Sequence, residues 1–167
     1  LMNGADVKGG MQAQELFSEE LLIAVPQLSP LNEKAVWAEG SRYRYLDLKW
    51  LNGQNVILPY PGQSLRADVE AVLKSEGITL GRIETIRNIE MAMQMVAEGL
   101  GIGFNREYYA MNMKYRKRVN YYTMGATAPK TAFVAGYRKD IHVTEPMQRF
   151  IALCRQQAYT EWESLAQ

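Results

Sequence analysis

Two short segments hold the residues best suited to chemistry in this 167-residue chain. The first is Tyr60-Pro61-Gly62-Gln63-Ser64, which joins a short apolar run to an amphipathic stretch. In open α/β sheets ligands collect at the carboxyl ends of strands, beside helix N-termini. There the free N–H groups of the first helical turn carry partial positive charge and suit a carboxylate or another anion, while Gln63 and Ser64 offer side-chain hydrogen bonds. A plainer reading makes Ser64 the N-cap and Pro61-Gly62 a turn, and both can hold at once. The second segment is Thr85-Ile86-Arg87-Asn88, where another strand passes into a helix. Arg87 is able to pair bidentately with a carboxylate. An exposed arginine, or an ion pair to Glu84 or Glu90, is the alternative.

Catalytic chemistry finds little to work with. His142 is the only histidine, so a multi-histidine metal site cannot be built, and its place between Ile141 and Val143, before a helix start, suits a connector. Acidic residues are spread among helices rather than paired at strand ends, no P-loop is present, and no metal or cofactor is expected. The one cysteine, Cys154, excludes an intrachain disulfide and a cysteine-rich zinc site and favours a reducing compartment. It falls on one helix face with Met147, Phe150, Ile151 and Ala158, which predicts a small buried apolar residue. Met91, Met93 and Met95 alternate around a helix and read as packing rather than a cofactor box.

Composition narrows the class. With 47% apolar and 22% charged residues the chain is ordinary for a globular protein. A formal net charge of +1 argues against broad attraction to nucleic acid. The local exception is the run KYRKR at residues 114–118, most simply a solvated loop or helix end. There is no apolar run long enough to cross a membrane, and no signal-peptide pattern opens the chain.

The elements that must position these residues are legible in part. Residues 83–105, IETIRNIEMAMQMVAEGLGIGFN, read as strand, helix and strand, with Ile89, Ala92, Met93, Val96 and Leu100 at helical spacing. This predicts a parallel pair with a crossover. Gly99, Gly101 and Gly103 follow the helix and so do not form a dinucleotide fingerprint; Gly99 reads as its C-cap. Elsewhere the pattern predicts strands at 5–8, 21–26, 55–59, 119–123 and 133–137. Helices are expected at 64–75, with Leu65, Val69, Val72 and Leu73 inward and Gly77 as cap, at 106–113, and from Thr144 with Pro146 in the first turn. Residues 11–20 read as a loop, and 31–52 as a mixed segment with an aromatic and basic patch.

The runs NVILPYPGQSLRADVEAVLKSEGI, VAEGLGIGF and TAFVAGYRKDIHVTEPMQRFIAL, in this order and spacing, resemble the effector-binding domain of LysR-type transcriptional regulators. The resemblance covers residues 5–153, with Asn105 standing where the family usually has a proline. It implies an α/β, two-lobed, type 2 periplasmic-binding-protein-like fold with mostly parallel sheets. Residues 1–25 and 128–167 would form an incomplete first lobe and 26–127 the second. It also places the start of the chain after the domain's first strand, first helix and second strand, and after the winged helix-turn-helix reader. A sheet edge left uncovered in this way predicts aggregation or domain exchange.

The resemblance further implies a cytoplasmic sensor that binds a small effector between its lobes. The loop at 60–64 would line the cleft, and Gly10 and Met11 would approach it from the first lobe. Gly103 and Phe104 on the strand after the second helix complete the candidate set with Pro61, Gly62, Gln63, Ser64, Thr85, Arg87 and Asn88. A homodimer or homotetramer would result, touching DNA only through the absent reader domain, with no membrane contact. Two other readings share the fold: the solute-binding protein of a transporter, and a bilobal enzyme such as a dehydratase of aromatic amino-acid biosynthesis. Fold alone does not separate these three.

Overall fold

In the computed structural model, which describes residues 1–4, 7–37, 39–114 and 116–164, the longest strand is a run whose polar first half gives little sign of it in the sequence. The preceding strand, β1 (Met2–Asn3), is short, and β2 (Met11–Pro26) is a single 16-residue strand. Residues 11–20, expected as a loop, are therefore strand. Leu16 and Phe17 are buried there, and Phe17 stacks on Phe133 with ring centroids 5.0 Å apart. Tertiary pairing has overridden a polar composition. Of the strand expected at 5–8, Ala5 and Asp6 lie outside the described residues, and Val7 and Lys8 belong to no strand.

The chain divides into two compact units, Leu1–Glu19 with Lys130–Gln167, and Glu20–Pro129. The remaining elements follow in order: β3 (Val36–Trp37), β4 (Arg44–Tyr45), β5 (Val56–Pro59), α1 (Ser64–Ser75), β6 (Ile83–Ile86), α2 (Ile89–Ala97), β7 (Ile102–Arg106), α3 (Glu107–Asn112), β8 (Val119–Tyr122), β9 (Lys130–Arg138) and α4 (Glu145–Ser164).

In the larger unit the second half of β2 pairs antiparallel with β7 on one side, Ile23 opposite Phe104, and with β8 on the other, Ile23 opposite Tyr122. Strand β5 pairs parallel with both β6 and β7. The crossover through α2 thus joins two strands that flank β5 instead of touching each other. Among the described strand pairs of this sheet in the larger unit, those of β5 are parallel and those of β2 antiparallel, so the sheet is mixed where mostly parallel sheets were expected. Helices cover both of its faces. Leu21, Ile23, Val25, Val56, Leu58, Ile102 and Phe104 share one core with Val69, Val72 and Leu73 of α1, while Ala24 and Ile57 pack with Ala92, Met93 and Val96 of α2. Period-two alternation along each strand produces these two faces.

Helix α2 ends as its glycine predicts. Gly99 has φ +85°, its N–H donates to the Val96 carbonyl at 2.9 Å, and the Leu100 N–H donates to the Met95 carbonyl at 3.1 Å. This pair of bonds is the Schellman arrangement, which satisfies carbonyls the helix end leaves open. Gly77 closes α1 in the same way.

In the smaller unit β1 pairs antiparallel with β9, Met2 opposite Val134, and β9 lies beside β2. Arg155 of α4 donates to the Glu15 carbonyl at 2.7 and 3.2 Å. The apolar face expected on α4 is only partly buried: Ile151 is sealed, Met147 and Cys154 are half-buried, and Phe150 is exposed. Phe150 stands about 100° around the helix from Ile151, which takes it off the packed face. The Ala158 side chain lies outside the described residues.

Candidate functional site

Parallel pairing of β5 and β6, with Pro59 opposite Ile86, brings their carboxyl ends together. This register places the two predicted segments side by side. The Arg87 guanidinium lies over the Tyr60 ring, 5.5 Å from its centroid, within the range of a cation–π contact. Both side chains are exposed. Neither Glu84 nor Glu90 holds Arg87; Glu84 pairs instead with Arg82 at 2.5 Å.

The two helix starts at these strand ends differ. At α1 the N-cap is Gln63, with extended backbone (φ −83°, ψ 143°) and no side-chain cap hydrogen bond. Ser64 is the first helical residue, which corrects its reading as the cap. Gly62, at φ +92°, turns the chain one residue earlier than a Ser64 cap requires. At α2 the cap is closed, since Asn88 Oδ1 accepts from the Met91 N–H at 3.1 Å. The carboxamide oxygen of Asn88 is thereby committed, and the start of α1 is the more open to an anion.

Arg66, which the sequence reading passed over, fixes the first of these junctions. It is 8% exposed, its Nη1 donates to the Pro59 carbonyl at 3.3 Å, and its Nε meets Glu70 at 2.6 Å. The first turn of α1 is thus tied to the end of β5. Tyr60, in the first segment, takes part through its ring under Arg87; its signal is an aromatic residue directly at the carboxyl end of a strand. Thr85 is half-buried opposite Leu58. Pro61, Gly62 and Gln63 are exposed in the loop.

Gly103 and Phe104 stand elsewhere. A Cβ on Gly103 would come within 2.7 Å of Met93 Cε and 2.9 Å of Val96 Cγ2, and Phe104 is sealed in the core. Both pack helices onto the sheet, in place of the ligand contact expected of them. In the smaller unit Gly10 turns at φ +88°, its carbonyl accepts from the Lys139 N–H at 2.9 Å, and Met11 opens β2.

Further along β7 lies a buried polar group that no motif announced. Asn105 is fully buried, and its Oδ1 accepts from the Arg106 N–H at 3.0 Å. Arg106 is buried and ion-paired with Asp68 of α1. Next to it Glu107 is buried and meets Arg42 at 3.3 Å. It also accepts from the Tyr43 hydroxyl and the Glu20 N–H. Burial raises the Glu107 carboxyl above its ordinary value despite Arg42, and burial, followed by the charge of Glu107, raises the Tyr43 phenol.

Among the described residues no group of three or more His, Cys, Asp or Glu could hold a metal ion, and no helix is long and apolar enough to cross a membrane. In the run at 114–118, Lys114, Arg116, Lys117 and Arg118 are exposed between α3 and β8, with Lys117 paired to Glu98; Tyr115 lies outside the described residues.

The LysR substrate binding domain family model matches residues 1–159. The chain belongs to this family. Solved structures agree at the level of fold. The regulatory domain of CcmR from Synechocystis PCC6803, in complex with 2-PG, superposes with TM-score 0.70 at 15% identity, over 90% of this chain and 67% of that one. The BenM effector binding domain with its effector benzoate gives TM-score 0.68 at 18% identity, over 95% and 67%. Full-length BenM gives 0.65 at 18% identity, and there the match spans 48% of the neighbour. No curated protein matches the chain significantly. The substrate-binding-domain family is one of transcriptional regulators, and the two-helix-layer mixed sheet of the larger unit is its periplasmic-binding-protein-like fold.

Proposed function

We propose that this LysR substrate-binding domain senses a small, anionic effector, held between its two lobes at the carboxyl ends of β5 and β6. The single observation that carries the reading is the pairing of an exposed Arg87, stacked on Tyr60, with the adjacent start of α1, which no side chain caps. A carboxylate there accepts backbone N–H groups from the first turn of α1 and a bidentate guanidinium from Arg87, with the hydroxyl of Ser64 and the carboxamide of Gln63 at the same loop. Thr85 and Asn88 frame the second strand end, and Gly10 and Met11 belong to the opposite lobe. Residues 1–25 with 128–167 and residues 26–127 are the two lobes in this reading.

The role is binding rather than catalysis. The effector acts by favouring one arrangement of the lobes, and it shifts the equilibrium only by the difference in its affinity for the two arrangements. A homodimer or homotetramer in the cytoplasm then presents its winged helix-turn-helix domains to DNA accordingly. Benzoate, the effector named for BenM, is a carboxylate, which supports an anionic class for this chain.

Thermal-shift screening of the full-length protein against small carboxylic acids, amino acids and aromatic acids tests the reading. A true effector at a hundredfold excess over its Kd adds about 2.7 kcal/mol to the native state. The expected result is a selective rise in Tm that disappears in Arg87→Ala and weakens in Ser64→Ala. A rise that survives Arg87→Ala unchanged would place the effector elsewhere.

A further inference from the structure

The β3–β4 hairpin and strand β8 line an open groove of about 390 Å³, remote in sequence from the strand ends of β5 and β6. That volume falls in the range of small-molecule sites, about 300 to 1,000 Å³. Its walls are aromatic: Trp37 is 75% exposed, and Tyr43 and Tyr121 line it too. Its floor is a built polar layer. Asn32 Nδ2 donates to the carbonyls of Pro26, Gln27 and Ser29 at 2.8 to 2.9 Å, which fixes the amide, and Asn32 Oδ1 accepts from Asn120 Nδ2 at 3.0 Å and the Tyr122 hydroxyl at 2.7 Å.

Charge in the groove does not cancel. The two cations lining it are Arg42 and Arg44, with no acidic residue in the lining. Arg42 is compensated by Glu107 at 3.3 Å. Among the described residues no carboxylate pairs with Arg44: its Nη2 donates to the Ala35 carbonyl, and its Nε is the one buried side-chain nitrogen or oxygen left without a hydrogen-bond partner. Such an orphaned donor destabilises the fold and marks a guanidinium whose present surroundings do not complete it.

We propose that this groove is a second ligand site, taking an arylacetate-type monocarboxylate whose flat ring lies against Trp37 and whose carboxylate is the counterion of Arg44. One uncompensated positive charge matches one negative charge. The exposed Trp37 and the half-buried Tyr43 and Tyr121 match a flat ring, and a turn of the Arg44 guanidinium toward the groove gives Nε an acceptor. The site is independent of the effector reading, because none of its residues belongs to the β5 and β6 strand ends.

Phenylacetate, with neutral phenylacetamide as its isostere, is the probe, and the indole ¹⁵N–¹H signal of Trp37, identified in Trp37→Phe, is the reporter. In the full chain phenylacetate should move that signal saturably, phenylacetamide should bind at least about tenfold more weakly, and Arg44→Gln should weaken phenylacetate by about tenfold or more. Arg87→Gln should leave the titration unchanged, which separates this site from the effector site. The proposal is overturned if Trp37 does not respond, if the amide binds as well as the acid, or if folded Arg44→Gln binds as the parent does. The comparison of acid and amide needs no variant, so a misfolded Arg44→Gln leaves it decisive.

Discussion

At the residue scale the molecule turns on a few positions whose neighbours assign their roles. Gly103 is one: with Met93 Cε 2.7 Å from where its Cβ would stand, it leaves no room for a side chain beneath α2. Gly103→Val forces Met93 and Val96 aside and should cost about 1 to 3 kcal/mol by overpacking, read as a lower urea midpoint at unchanged slope. Glu107 is another. Its raised pKa means that the folded state holds the proton more tightly than the unfolded chain. The stability it contributes is therefore complete below the ordinary glutamate value and is lost as pH rises through the raised folded value. Urea titrations across that window should show stability falling with pH, and Glu107→Gln should remove that component of the slope. A parent and variant with the same slope would mean that Arg42 and the Tyr43 hydroxyl fully offset burial.

At the scale of elements, α1 and α3 are coupled through charge rather than through a turn. Arg106, the N-cap position of α3, is buried and finds its counterion in Asp68 on α1. Removing the carboxylate takes an ion-pair partner from a buried guanidinium, so Asp68→Ala should cost more than the roughly 0.2 to 1 kcal/mol of an exposed ion pair. A loss below about 1 kcal/mol in chemical denaturation would show that water reaches Arg106 through the partly exposed Asp68 side. Helix boundaries were the most legible part of the sequence. The 64–75 reading coincides with α1 and the strand at 83–86 with β6, because apolar period and terminal glycine act locally. The first half of β2 was not legible. Its polar residues pack only because Phe133, more than a hundred positions away, is there to stack on Phe17.

At the scale of the whole molecule, burial concentrates in the larger unit, where Leu21, Leu22, Ile23, Ala24 and Val25 are all fully buried along β2. Hydrogen exchange should therefore be slowest at the amides of this stretch, β5 and β7, and fast at Val36, Trp37 and residues 39–43, where Trp37 and Val36 are exposed. Equal protection in both regions would contradict this ranking. What the sequence by itself determined was the elements from α1 to α2 and the segments 60–64 and 85–88 as strand-to-helix junctions, since each depends on periodicity and turn chemistry within a dozen residues, and the family, which shows in the order and spacing of three runs. Only the tertiary structure decided that β5 lies between β6 and β7, and that Arg87 rests on Tyr60 instead of pairing with a nearby glutamate. It alone decided that Gly103 and Phe104 serve packing and that Arg44 stands without a counterion in an aromatic groove. Those outcomes depend on which strand pairs with which, and pairing between distant segments is set by the burial of whole faces rather than by the residues next to each site.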